Sequence, residues 1–137
     1  EWTRDRDFFG TALGGCLGGT DEEMEAVVRG SVPYIHPSRP VHFLGIGRIQ
    51  DLFRFVKYGI DTFDCVIPTR LARHGAVFMK GVPGGTINLK NARYRYDETP
   101  LDEENDIPAS RNFSRAYIHH LLQADELLGG QLISQHN

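Results

Sequence analysis

The segment from Val41 to Arg70, VHFLGIGRIQDLFRFVKYGIDTFDCVIPTR, decides the fold class. It begins with a short apolar run that ends in glycines and continues with apolar residues at helical spacing, which stop at Gly59. A second apolar run follows. A strand, a helix and a strand in this order form a βαβ crossover, and such crossovers build parallel sheets. The segment therefore predicts an α/β fold.

One carboxylate interrupts the second apolar run of this segment. Its neighbours favour a core (Phe63, Cys65, Val66 and Ile67), and Pro68 is expected to end the strand. We therefore expect Asp64 in buried surroundings, where a bare charge is costly. Such a group has either a reaction to perform or a partner, so a hydrogen-bonded structural carboxylate is the alternative interpretation.

The rest of the chain predicts further short elements. Residues 8–17 predict a strand that runs into a glycine-rich loop, and Thr20 followed by Glu23 predicts a capping box at a helix start. Residues 77–79 and 86–89 predict two short strands joined by a turn. Two helices are predicted. Ile49, Leu52, Phe53 and Val56 have helical spacing in the first, and Phe113, Tyr117, Leu121 and Leu128 lie along one stripe of a long helix closed by Gly129 and Gly130.

Composition limits the class of protein. The 137 residues are 40% hydrophobic and 24% charged, which is typical of one globular unit. No run approaches the roughly 18 apolar residues of a membrane span. The first residues, EWTRDRDFFG, include neither the apolar core of a signal peptide nor an initiator Met, which suggests a fragment. Cys16 and Cys65 are interpreted as reduced, and we expect a cytoplasmic protein.

The net charge of −3 conceals an asymmetry along the chain. Residues 70–95 contain six basic side chains and no acid, whereas residues 97–106 contain six acids and no base. Two interpretations remain open on charge alone. The two runs form solvated faces that pair with each other, or the basic run binds a phosphate backbone.

Several motifs together resemble the tRNA-guanine transglycosylases (queuine tRNA-ribosyltransferases). They are ALGG before an acidic helix start, VHFLGIG, DTFDCVIPTRLARHG, INLKNARY, and SRAYIHHLL with a closing HN. The resemblance implies the C-terminal portion of a (β/α)8 TIM-type barrel, with the family's appended C-terminal subdomain helix. Within a single unit of residues 1–137, residues 1–96 would supply barrel strands and helices. Residues 97–137 would form the former zinc-subdomain region.

The resemblance also implies an activity. The family exchanges guanine at the anticodon wobble position of tRNA for queuine or a related 7-deazaguanine. Asp64 matches the family's nucleophile, which forms a covalent aspartyl-ribosyl intermediate. The chain would thus belong to a pentosyltransferase but hold an incomplete active site. The alternative is a non-catalytic or divergent tRNA-binding partner subunit of the same family.

Further site residues follow from the same motifs. Gly14 and Gly15 match the loop that faces the substrate base, and Leu44 matches a residue that packs on that base, although ordinary core packing is an equal alternative. Arg70 and Arg73 match tRNA-contacting positions, and guanidinium groups suit phosphate.

The chain departs from the family pattern at two places. The family's three zinc-binding cysteines are replaced by Asn105, Ile107 and Ser110, so that only His136 remains of the zinc ligands. We therefore expect no metal at this site, and no cofactor is predicted. Thr20 stands where the family has a base-reading glutamate, which leaves the base preference open. The expected partners are tRNA, a 7-deazaguanine base and a second subunit in a homodimer or heterodimer. We also expect the chain to need the N-terminal half of the barrel, and we expect no membrane partner.

Overall fold

The computed structural model describes residues 4–15 and 18–137. The chain divides into two compact units, the first ending at Val66 and the second running from Ile67 to Asn137. The predicted boundary at residue 96 stays a prediction.

The first unit contains two consecutive βαβ crossovers. The described elements are β1 (Thr11–Leu13), α1 (Asp21–Ser31), a 3-10 turn (Val32–Tyr34), β2 (Val41–Phe43), α2 (Ile49–Val56) and β3 (Thr62–Phe63). The three strands form a parallel sheet in the order β1-β2-β3. This confirms the α/β class and the parallel order that the sequence predicts. The short strand predicted within residues 8–17 is β1, and positions 16 and 17 of the predicted glycine-rich loop lie outside the described residues.

Alternation along the strands gives the sheet two different faces. Leu13, Phe43 and Phe63 are register neighbours and belong to the core of the unit. Ala12, His42 and Thr62 are the other register neighbours and point to the opposite face. Ala12 and Thr62 are exposed, so this second face lacks the apolar cover of the first.

The helices of the first unit are fixed by caps and ion pairs. Thr20 accepts from the backbone N–H of Glu23 while the Glu23 carboxylate accepts from that of Thr20, which confirms the capping box at the start of α1. At the start of α2, Arg48 bonds to both the buried Asp51 and Asp21 of α1. This arginine therefore satisfies a buried charge and links the two helices.

The helix predicted over residues 49–56 is confirmed as α2, but three of the four apolar residues that predicted it do not face the core. Ile49, Phe53 and Val56 are exposed, with Phe53 at 78%, whereas Phe55 is fully buried. Phe55 packs edge to face on Phe43 with ring centroids 5.1 Å apart. The helix has apolar residues on two sides, and the side that carries Phe55 packs on the sheet.

The second unit begins where the sequence predicted the end of a strand. Its described elements are α3 (Ile67–Arg73), β4 (Ala76–Phe78), β5 (Thr86–Asn88), α4 (Pro108–Arg111), α5 (Arg115–Gln123) and α6 (Leu127–His136), with 3-10 turns at Pro83–Gly85 and Ala92–Tyr94. β4 and β5 pair antiparallel, which confirms the predicted pair of short strands. Pro68 does not end a strand but lies in the first turn of α3, where its missing N–H has no helical partner.

The single long helix predicted near the C-terminus is wrong. The chain breaks between α5 and α6, where Asp125 adopts a φ of 57°, a left-handed conformation that Asp tolerates. Gly129 does not end a helix: it lies inside α6, where an added Cβ would come 3.1 Å from the Cβ of Leu121. Leu121 is buried, whereas Leu128 and Tyr117 are exposed and Tyr117 stacks on Phe113.

Among the described residues, no helix combines the length and the apolar composition that crossing a membrane requires.

Two phenylalanines of α2 test this core. Phe55→Ala is expected to lower the free energy of unfolding by roughly 3–5 kcal/mol because it opens a cavity against Phe43. Phe53→Ala, the matched control two residues away, is expected to change it by less than about 0.5 kcal/mol. Urea unfolding of the 137-residue chain measures both. Equal losses for the two variants would contradict the buried side assigned to α2.

Candidate active site

The candidate site lies at the carboxyl ends of the three parallel strands. β1 is followed by Gly14, β2 by Leu44 and Gly45, and β3 by Asp64. Parallel pairing brings the carboxyl ends of neighbouring strands to one edge of the sheet, where ligand sites of α/β proteins are found.

Asp64 is exposed, which corrects the expectation of buried surroundings. β3 ends at Phe63, so Asp64 follows the strand instead of lying within it, and its side chain is 60% exposed. Its Oδ1 accepts two hydrogen bonds, from the backbone N–H of Gly45 at 3.0 Å and from Nε2 of His42 at 3.0 Å. The carboxylate is thus both anchored and open to solvent.

These contacts favour the charged form of the carboxylate. The Gly45 N–H and then His42 hold the pKa of Asp64 below its ordinary value of 3.8, against the opposing effect of partial desolvation. Asp64 is therefore an anion at neutral pH, as a carboxylate nucleophile must be.

Two of the expected base-binding residues meet beside the sheet edge. An added Cβ on Gly14 would come 2.8 Å from Cδ1 of Leu44, so this glycine allows the leucine side chain to approach the backbone. Leu44 is 47% exposed, and its N–H donates to the carbonyl of Leu13 at 2.8 Å. Gly15 has a φ of 92° with open space around the position of a Cβ. The ordinary-core interpretation of Leu44 does not fit this exposure.

Arg70 and Arg73 lie in the last turn of α3, and both are exposed. They belong to the second unit. Among the described residues, one ion pair joins the basic run of residues 70–95 to the acidic run of residues 97–106, the exposed pair of Lys80 with Glu104 at 3.9 Å. Such an exposed pair contributes little.

Thr20 is engaged in the helix cap described above, and the Glu23 carboxylate also accepts from the N–H of Gly19 at 2.6 Å. The Thr20 hydroxyl therefore caps the start of α1.

Two of the four positions that the resemblance matches to zinc ligands, Ser110 and His136, are hydrogen-bonded to each other within the second unit. Buried Ser110 bonds through Oγ to Nδ1 of His136 at 2.8 Å, and Nε2 of His136 bonds to the carbonyl of Phe78 at 2.8 Å. Asn137 continues the contact: its Oδ1 accepts from the Phe78 N–H at 2.9 Å, and its Nδ2 donates to the carbonyl of Pro68 at 3.0 Å. The closing His-Asn pair therefore ties α6 to β4 and α3.

The other two positions offer no strong metal ligand. Ile107 has no donor atom for a metal, and Oδ1 of Asn105 accepts from the Ile107 N–H at 3.1 Å. Within residues 4–15 and 18–137, no group of three or more His, Cys, Asp or Glu side chains could hold a metal ion.

Sequence reasoning missed His42, Gly45 and Thr62. His42 and Thr62 are register partners on neighbouring strands, and Asp64 lies two residues beyond Thr62. Period-two alternation in VHF and TFD places the side chains of His42, Thr62 and Asp64 on the same side of the sheet. That signal was available, but only after the pairing register of the strands is known.

A family model described as "Queuine tRNA-ribosyltransferase" matches residues 1–137. The chain is 46% identical over 138 residues to a queuine tRNA-ribosyltransferase of Roseiflexus sp. (strain RS-1), covering 100% of this chain and 34% of that protein.

Two further relatives share that name. The protein of Rhizobium meliloti (strain 1021) is 44% identical over 135 residues, with 98% of this chain and 35% of the relative covered. The protein of Symbiobacterium thermophilum is 47% identical over 132 residues, with 96% and 32% covered. The chain spans about a third of the length of the curated relatives it matches.

Proposed function

The chain belongs to the queuine tRNA-ribosyltransferase family, and we propose that it supplies the nucleophile, Asp64, of a tRNA-guanine transglycosylase. The reaction is the exchange of guanine at the anticodon wobble position of tRNA for queuine or a related 7-deazaguanine. The observation that carries the proposal is the Asp64 carboxylate, anionic, anchored through one oxygen and exposed at the carboxyl end of β3.

The chemistry consists of two displacements at one sugar carbon. In the first, an oxygen of Asp64 bonds to the anomeric carbon while the bond to guanine breaks, and guanine leaves after taking up a proton. In the second, the incoming base attacks the same carbon, loses a proton and expels the carboxylate. A carboxylate suits both steps because the transition states resemble an oxocarbenium ion, which an adjacent anion stabilises.

The sheet supports a place in a (β/α)8 barrel. Strands β1, β2 and β3 are parallel, adjacent in chain order and joined by helices, as consecutive barrel strands are. The face formed by Ala12, His42 and Thr62 would then point into the barrel. In this proposal the groups that transfer protons and recognise the purine edge come from the part of the family's length that this chain does not span.

The remaining site residues take roles in substrate binding. Leu44, exposed beside Gly14, offers an apolar surface for a purine ring, and Gly15 leaves the backbone open beside it. Arg70 and Arg73 present exposed guanidinium groups to tRNA phosphates. Dimerisation and a cytoplasmic location stay predictions from the sequence.

Substitution of Asp64 tests the nucleophile. The test protein is a chimera in which residues 1–137 replace the matching segment of the Roseiflexus relative, so that this chain provides Asp64. Asp64→Asn is expected to abolish the covalent complex with tRNA, because a neutral amide oxygen cannot make the displacement. Denaturing electrophoresis of the trapped complex measures it.

Asp61→Asn is the matched control for this experiment. Asp61 precedes β3, and its Oδ2 accepts from the Val41 N–H at 2.7 Å, a bond that an amide oxygen retains. This variant should trap tRNA as the parent does. A covalent complex that persists in Asp64→Asn would reject Asp64 as nucleophile, and a folded parent that never traps tRNA would favour the non-catalytic partner subunit.

We further infer that this chain holds no zinc at the family's position. The residues do not fit the metal: Ser110 and Asn105 are poor ligands, Ile107 is none, and both nitrogens of His136 are already hydrogen-bonded. The Ser110–His136 bond takes over the task of tying α4 to α6.

Chelation and a serine substitution test this inference together. EDTA should leave the melting temperature of the 137-residue chain unchanged, whereas Ser110→Ala should lower the free energy of unfolding by about 1–3 kcal/mol because it leaves buried Nδ1 of His136 without its donor. Ser134→Ala on α6 is the control, expected within about 0.5 kcal/mol. Stoichiometric zinc by elemental analysis, with a melting temperature that falls on chelation, would contradict the inference.

A further inference from the structure

The His42 imidazole bridges two residues of the neighbouring strand. Its Nδ1 lies 2.8 Å from Oγ1 of Thr62, and its Nε2 lies 3.0 Å from Oδ1 of Asp64. Because β2 and β3 pair with His42 opposite Thr62, the ring spans the carboxyl end of β3 from the adjacent strand. The ring is partly covered, with a side-chain exposure of 34%.

The chemistry of the partners sets the position of the proton. An ionised carboxylate only accepts hydrogen bonds, so the neutral imidazole must carry its hydrogen on Nε2. Nδ1 then accepts from the Thr62 hydroxyl. Thr62 thus fixes the tautomer in which His42 donates to Asp64, as the partner on the second nitrogen does for other histidines.

The two donors act on one oxygen of the nucleophile. Both the Gly45 N–H and the His42 N–H reach Oδ1 of Asp64. Donation to Oδ1 lowers the basicity of that oxygen and leaves Oδ2 as the better nucleophile. Once Oδ2 is bonded to the sugar, Oδ1 is the carbonyl oxygen of an ester and still faces the same two donors.

We propose that His42 is a positioning residue that holds Oδ1 of Asp64 and promotes the second displacement, in which Asp64 is the leaving group. The proposal rests on the proposed function. As the nitrogen of the incoming base bonds to the anomeric carbon, the electron pair of the bond between Oδ2 and that carbon returns to the carboxylate. The negative charge then spreads to Oδ1, where the His42 donor stabilises it. The proton of the incoming base passes to a general base outside this chain.

The first displacement makes a different demand on this donor. The carboxylate begins as an anion and stays largely anionic beside the oxocarbenium-like sugar, so the donor on Oδ1 stabilises the reactant and the transition state alike. Loss of the His42 donor should therefore slow breakdown of the covalent intermediate and leave its formation almost unchanged. If His42 had a purely structural role, its loss would lower the rates of both displacements together.

The kinetic test uses the chimera with two variants. His42→Phe keeps a planar ring but removes the donor, whereas His42→Gln restores an N–H donor. In His42→Phe, the rate at which added base discharges the preformed tRNA complex should fall roughly 10- to 100-fold, the effect of a hydrogen bond to a charged group. The rate of complex formation should change by less than about threefold. His42→Gln should recover most of the discharge rate.

Outcomes of the kinetic test are distinct. Equal losses in formation and discharge, or no recovery in His42→Gln, would overturn the positioning role. A folded parent chimera that forms no covalent complex would instead reject the proposed function. In that case the hydrogen bond between His42 and Asp64 is tested on the 137-residue chain.

Nitrogen NMR of the histidine rings decides the pairing without any activity. At a pH where the ring is neutral, His42 should carry its hydrogen on Nε2. This hydrogen should exchange slowly with solvent, and Asp64→Ala should make the exchange fast. His36 is the internal control, because its Nδ1 accepts from the Ser38 backbone N–H at 3.2 Å and does not contact Asp64. A His42 signal that Asp64→Ala leaves unchanged would overturn the proposal.

Discussion

The parallel pairing of β2 with β3 is the constraint on which the candidate site depends. It places the turn after β2 beside the residue after β3, so that the Gly45 N–H reaches the Asp64 carboxylate. Gly45 adopts a φ of 74°, a conformation that side-chain-bearing residues rarely adopt. Two backbone features, a register and a glycine turn, therefore fix a charged oxygen at the sheet edge without burying it.

The second unit uses a different means to hold its C-terminal helix. The Ser110 hydroxyl bonds to His136, and His136 and Asn137 bond to the backbone of β4 and α3. These bonds are individually weaker than metal coordination, but their donors and acceptors are largely shielded from water. Each buried polar atom of the serine–histidine pair has a hydrogen-bond partner, and these bonds join α6 to α4 and β4.

Local patterns predicted the caps, the hairpin of β4 and β5 and the parallel order, because each depends on residues close in sequence. Periodicity predicted the helix α2 but not its buried side, which carries Phe55 and not Phe53. It also failed at Asp125, since one left-handed residue interrupts an otherwise helical pattern. At the site, resemblance pointed to Asp64, but its exposure and its partner His42 depend on strand register, which a single sequence does not encode locally.

The anchoring of the Asp64 carboxylate is measured by its titration in the 137-residue chain, followed by NMR through the side-chain carboxyl carbon. Donation from Gly45 and His42 stabilises the anion, so the midpoint should lie below the ordinary value of 3.8. It should rise toward that value when His42 is replaced by Phe. A midpoint at or above 3.8 in the unchanged chain would contradict the stabilisation of the Asp64 anion by Gly45 and His42.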